Sequence, residues 1–185
     1  MTASSLEKRT EAKAPMVSAH SPMAVFLHWG FVGVFVYALT KQIDELEELE
    51  DASLLQNEMM FATLFLTLLF SRFVYMRSRG STALPSDTPR LNMLMARAVH
   101  LGMYVSLAMI AVTGLVIGVL YWSGFKDGAG ISVVLIAHEL FVQLSYLLIF
   151  LHVSAALYHR RKRDGIWSAM VPFFLKEGSR DSFRN

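Results

Sequence analysis

The chain has 185 residues, 54% of them hydrophobic, no cysteine, and a formal net charge of +2. The absence of cysteine excludes a disulfide framework and, with no C-x-x-C-H, covalent c-type haem attachment. So small a charge gives no ground for a nucleic-acid partner, and the clustering of the apolar residues then sets the class.

Residues 1–20 are small and polar with no apolar periodicity, and a flexible tail is expected there. Four apolar runs follow, near 22–42, 53–76, 93–122 and 132–158. Each reaches the length of about 20 residues that a helix needs to cross a bilayer. None carries the polar residue at every third or fourth position that a soluble bundle would require. The expected fold is all-α, an integral membrane four-helix bundle over 21–160, with 161–185 a basic interfacial C-terminal segment. The first run is too long for a signal peptide and lacks a small-residue cleavage site, so it is expected to be retained.

Run one opens with "SPMAVFLHW", which holds His28 and Trp29, and continues through Gly30 and Gly33. The loop after it, "IDELEELED", reads as a short solvated helix that stays out of lipid; docking a basic partner or steering ions is the alternative. Run two carries Glu58, Met59 and Met60 near its start and Arg72 near its end. The stretch "RSRGSTALPSDTPRLN" (77–92) holds Gly, Ser and two prolines and reads as irregular linker. Run three carries His100 in "HLGMY" and then Gly114 and Gly118 as G-x-x-x-G, a pattern of helix packing or of a close-lying macrocycle. Trp29, Tyr121 and Trp122 read as membrane-belt residues. Run four is bracketed by His138 and His152 in "HELFVQLSYLLIFLH". It leads into Arg160, Arg161, Lys162 and Arg163 and then "GIWSAMVPFFLKEG", which suits a segment lying in the membrane interface.

Charge orients the bundle. Lys8, Arg9 and Lys13 precede run one; Arg77, Arg79, Arg90 and Arg97 lie around the second connection; the basic cluster from Arg160 follows run four. The other two connections hold only Lys41 and Lys126. Excess Lys and Arg marks cytoplasmic segments, so both termini are expected on that side.

The histidines carry the chemistry. Ionisable side chains inside a bilayer are costly and point to function, and neutral imidazole is an axial ligand of haem iron. His138 and His152 lie roughly 21 Å apart along a helix and within roughly 40° of one face. Counted from the cytoplasmic ends of their runs, His28 and His152 both lie about 10 Å deep. They are the expected axial pair of an inner b-type haem. His100, at the same end, is either a donor to a propionate or quinone or an interfacial histidine. His159 reads as a headgroup-level residue. Arg72 either pairs with a haem propionate or snorkels. His138 has no depth-matched histidine, since run two offers Glu58, Met59 and Met60 at that level. An outer haem would then be five-coordinate, use Met59 or Met60, or not exist. Glu58 itself reads either as an interfacial carboxyl or as a functional one.

With those residues in place, the chain resembles the bacterial cytochrome b561 family, which also covers cytochrome b subunits of hydrogenases and formate dehydrogenases. The resemblance runs over roughly 21–172 and rests on "SPMAVFLHW", the Arg72 end of run two, "HLGMYVSLAMIAVTGLVIG", "HELFVQLSYLLIFLHVSAALYH" and "RDGIWSAMVP". It implies a four-helix bundle in the bacterial inner membrane, binding two b haems and exchanging electrons with ubiquinone or a related quinone. It implies His28 and His152 as ligands of the inner haem, His138 on one face of the outer haem, and His159 near the inner quinone site. Counted back from Arg72, the family's second-helix histidine falls on Glu58.

Three functions follow from that reading. The leading one is a cytochrome b shuttling single electrons between the quinone pool and a periplasmic or membrane redox partner. A superoxide:ubiquinone oxidoreductase is the second, against which the acidic outer loop would repel an anionic substrate. The third is a membrane-anchor cytochrome b subunit of a larger redox complex.

Overall fold

The structure, a computed structural model, describes residues 21–40, 46–79, 89–164 and 166–171. The expected tail (1–20) and residues 172–185 of the expected C-terminal segment lie outside the described residues. Among the described residues four helices are long and apolar enough to cross a membrane. These are α1 (Pro22–Leu39), α2 (Ala52–Arg79), α3 (Arg90–Trp122) and α4 (Ala129–Lys162), and a short α5 (Ile166–Met170) follows. The all-α membrane four-helix architecture is therefore as the apolar runs imply. α2 and α3 each extend about a turn into the stretch read as linker.

Each helix end has a local cause. Ser21 caps α1, its Oγ accepting the Ala24 N–H at 3.3 Å, with Pro22 at the first helical position where a missing N–H costs nothing. The same Oγ is 2.8 Å from the Tyr75 hydroxyl, which ties the start of α1 to the end of α2. Asp51 heads α2, accepting from the Ser53 N–H and hydroxyl and the Leu54 N–H. These bonds, the Ser53 hydroxyl foremost, hold its exposed carboxyl below the usual aspartate range. Along α2 the hydroxyls of Thr63, Thr67 and Ser71 donate to carbonyls four residues back, so none of these three is left bare in lipid. α4 stops where Arg163 turns left-handed (φ 55°) and returns its N–H to the His159 and Arg160 carbonyls.

Small residues fix the closest approaches. Ser106 and Ser145 are fully buried and each donates to its own helix, so α3 and α4 pack closely with no polar group unsatisfied. A Cβ on Gly102 would lie 3.0 Å from Leu148 of α4, and one on Gly118 only 2.7 Å from Met59 of α2. Gly114 faces the His138 ring, 3.6 Å from a would-be Cβ. The G-x-x-x-G of α3 is thus a packing surface. Gly30 and Gly33 meet nothing within 4 Å, and at about 100° per residue they turn well away from His28.

Two apolar cores divide the bundle. At the end bearing Glu48, Glu50 and Asp51, hereafter the acidic end, Leu49, Leu55, Ile117, Tyr121 and Ile131 pack together with Met59, Val134 and Leu135. Leu49 comes from a single 3-10 turn (Leu46–Glu50), which is anchored by its apolar side chain rather than solvated all round. Tyr121 is buried in this core and is not a belt residue, whereas Trp122 is exposed as expected. The second core, Phe65, Leu69, Leu107 and Ala111 with Phe31 and Phe35, joins α1, α2 and α3 and contains no residue of α4. α4 is held by α3 and α5, so α1 and α4 flank a space toward the opposite, basic end.

Candidate cofactor site

That space is where the histidines meet. The rings of His28 on α1 and His152 on α4 have centroids 6.4 Å apart, with planes crossed at 68°. Two imidazoles holding one metal ion through nitrogen, at about 2 Å each, put their ring centres roughly 6 Å apart. His100 of α3 packs edge-on with His152, at 5.0 Å between centroids. Its Nδ1 donates to the Ala96 carbonyl at 2.6 Å, leaving Nε2 as an acceptor. Three histidines from three helices thus converge at the basic end.

Arg72 decides what this cluster is suited to hold. Its NH1 donates to the Tyr104 hydroxyl at 2.6 Å, and its NH2 donates to His28 Nδ1 at 2.9 Å. The guanidinium also lies over the Tyr104 ring, 5.4 Å from its centroid, and Phe73 packs against that ring's edge. Its Nε is buried with no hydrogen-bond partner, and no carboxylate pairs with it among the described residues. A cation withdrawn from water without a counter-ion costs several kcal/mol, and an orphaned buried donor adds to that. The arrangement calls for an anion beside His28 and His152. A haem carries iron for the two imidazoles and propionates for the arginine, so these residues fit that group. Arg72 can only donate, so in this arrangement the proton of His28 sits on Nε2. Ligation through Nε2 therefore requires Arg72 to leave Nδ1, and an acidic group is what would draw it away.

The floor of the site is built by the chain after α4. Trp29 Nε1 donates to the Met170 carbonyl at 2.9 Å, pinning α5 to α1 one residue from His28. Trp29 is thus a tether as well as the exposed aromatic its sequence suggested. Asp164 takes the His159 Nδ1–H at 2.6 Å on one oxygen and the Ile166 N–H at 3.3 Å on the other. It fixes the His159 tautomer and the turn into α5 together. His159 is thus half of a His–Asp pair and not a lone headgroup-level residue. Arg160 stacks over Trp167 at 5.1 Å on the same segment.

His138 lies apart from this cluster, toward the acidic end. Its Nδ1 is 2.9 Å from Thr113 Oγ1, which itself donates to the Met109 carbonyl at 2.6 Å. With that hydroxyl proton engaged, His138 Nδ1–H is the donor and Nε2 the free acceptor. Met60 is 60% exposed and lines the cavity between α2 and α3, and Met59 lies in the Gly118 notch. A cavity of about 720 Å³ opens between α2 and α3 at this end, lined by Gln56, Met59, Thr63, Val119 and Trp122 and by none of the histidines.

Tyr104, Thr113 and Asp164 were not singled out in the sequence. The Asp164 pair is within five residues of His159 and was open to a local reading. The other two depend on which helix faces which.

Four membrane-crossing helices that bring crossed histidines and an uncompensated arginine together at one end define a membrane protein built around a b-type macrocycle. The chain belongs to the prokaryotic cytochrome b561 family, whose model matches residues 19–173. It is a multi-pass, lipid-embedded b-type cytochrome of electron transfer. No curated protein and no solved structure matches the chain.

Proposed function

We propose that this cytochrome carries single electrons between a haem held by His28 and His152 and the quinone pool, at the cytoplasmic side of a bacterial inner membrane. The observation that carries the reading is Arg72, a half-buried cation that touches His28 and pairs with no carboxylate among the described residues. When bound, the haem supplies a one-electron iron couple. The chain supplies the rest. His28 and His152 would hold the iron from α1 and α4. Tyr104 holds the guanidinium beside His28, from where it would pair with a propionate.

Quinone reduction takes two electrons and two protons, so the quinone needs a proton donor as well as a nearby electron source. His159 suits that role. Asp164 keeps its Nδ1 protonated, which leaves Nε2 to give or take a proton at the membrane surface. The basic residues Arg160, Arg161 and Lys162 beside it fit the side that the charge distribution assigns to the cytoplasm.

Anaerobic stopped-flow mixing of the purified cytochrome with a short-tailed quinol tests the reading. The expected result is reduction of the haem α-band, with His159→Ala slowing it at least tenfold while haem content is unchanged. A haem that short-tailed quinol does not reduce and quinone does not reoxidise would overturn it.

A further inference from the structure

Building on that reading, we infer that this chain binds one haem only, at the basic end, and that its acidic half is haem-free. The family resemblance leads one to expect a second haem on His138, and the residues around His138 do not fit one.

The first mismatch is in ligands. The His138 ring rests at Gly114 of α3, whereas Met59 of α2 rests at Gly118. Four helical residues separate the two contacts, about 6 Å along α3. The stretch of α2 level with His138 therefore lies about one turn past Met59, around Ala62 and Thr63. Neither is an iron ligand, and the Thr63 hydroxyl is already given to the Met59 carbonyl. Glu58, in the position where the family pattern has histidine, lies farther toward the acidic end. Among the described residues His138 has no second iron ligand facing it from α2.

The second mismatch is in charge. A haem brings two propionates that need cations or water. At the basic end Arg72 is half-buried with a buried, orphaned Nε. At the acidic end the described parts of the helices, 31–39, 52–66, 107–122 and 129–146, contain no arginine or lysine. The loop residue Lys126 is taken by Glu50 at 3.0 Å. Among the described residues the acidic half otherwise offers carboxylates: Glu58, Glu139, Glu48, Glu50, Asp51 and Asp127. Propionates placed there would face carboxylates.

The third is in space. Leu49, Leu55, Ile117, Tyr121 and Ile131 draw the 3-10 turn, α2, α3 and α4 into one apolar core. Met59 fills the notch that Gly118 leaves. A flat macrocycle would have to displace that core, whereas at the basic end α4 stands clear of the core that joins α1, α2 and α3.

One consequence concerns sidedness. His138 lies about 21 Å along α4 from His152, and nothing between them is suited to hold a second iron. Quinone and redox partner must both meet the haem from the basic side, which makes this a one-sided carrier rather than a transmembrane wire.

Haem per chain is measured by pyridine haemochrome on the purified full chain, normalised by amino-acid analysis, for wild type, His138→Ala and His152→Ala. The expected values are one haem in wild type, one in His138→Ala, and near zero in His152→Ala. Two haems in wild type would overturn the inference while leaving the inner site intact. One haem that is lost in His138→Ala and kept in His152→Ala would overturn it and the inner site with it. No haem in wild type would overturn both. The wild-type count needs no variant to fold. Low-spin signal intensity in the wild type, expected from a single species, checks it independently.

Discussion

Replacing Arg72 by methionine separates its role in the protein from its role toward the cofactor. In the haem-free chain the guanidinium makes two charged hydrogen bonds, to Tyr104 and His28. Each contributes about 1.5–3 kcal/mol. Against that stands the cost of keeping an unpaired cation out of water, itself several kcal/mol. The two nearly cancel, so Arg72→Met should change the stability of the haem-free protein by no more than about 2 kcal/mol. With haem bound the balance differs, because removing one partner of a buried ion pair costs about 3–5 kcal/mol. Arg72 is only half-buried, which points to the lower end of that range. At about 1.4 kcal/mol per decade, haem affinity should fall roughly a hundredfold. The assay is transfer of haem to an excess of a high-affinity apoprotein, followed by absorbance, beside thermal unfolding of the haem-free chain. Arg72→Lys should fall between, because a point charge without the planar fork keeps the attraction and loses the second bond. If Arg72→Met holds haem within threefold of wild type while the haem-free chain unfolds normally, no propionate meets this arginine and the reasoning is wrong.

Other outcomes follow from the packing. Gly118→Leu should destabilise the bundle by about 1–3 kcal/mol, because the added side chain meets Met59. Met59→Ala in the same chain should recover a good part of that loss in detergent unfolding, a coupling expected of residues in contact. Trp29→Phe removes the bond to the Met170 carbonyl. It should cost about 1 kcal/mol and raise the protease sensitivity of the segment after α4. Asp51 supplies the pH prediction. Its carboxyl is held below the usual range in the folded chain, so its stabilising contribution is complete above the ordinary aspartate pKa and lost as pH falls through the depressed one. Asn keeps the cap without the charge. The stability difference between wild type and Asp51→Asn should therefore shrink as pH is lowered from neutral toward 3, and a difference that grows would contradict the assignment.

The membrane spans were legible because a bilayer demands long uninterrupted apolar runs, and nothing in tertiary packing can override that. The pairing of His28 with His152 was legible for a related reason. Helices that cross a slab share a depth axis, so counting residues from one boundary substitutes for knowing the fold. What was not legible depends on rotation about each helix axis. Tyr104 reads in sequence as one more aromatic of run three, and only its facing α2 makes it the partner of Arg72. Gly30 and Gly33 stand beside His28 in sequence, yet their angular offset turns them away from it. Leu49 was hidden among acids, because one apolar residue in a charged loop gives no periodicity. The depth count also misplaced the level of His138, since α4 begins three residues before its apolar run. That shift moved its opposite position on α2 from Glu58 and Met59 toward Thr63.

The inner haem ligated by His28 and His152 is the centre of the proposal, and low-temperature EPR of the purified ferric protein tests it most directly. The expected result is a low-spin bis-histidine signal in the wild type, abolished in both His28→Ala and His152→Ala and retained in His100→Ala. A bis-histidine signal that persists at full intensity in either of the first two variants would contradict the pairing.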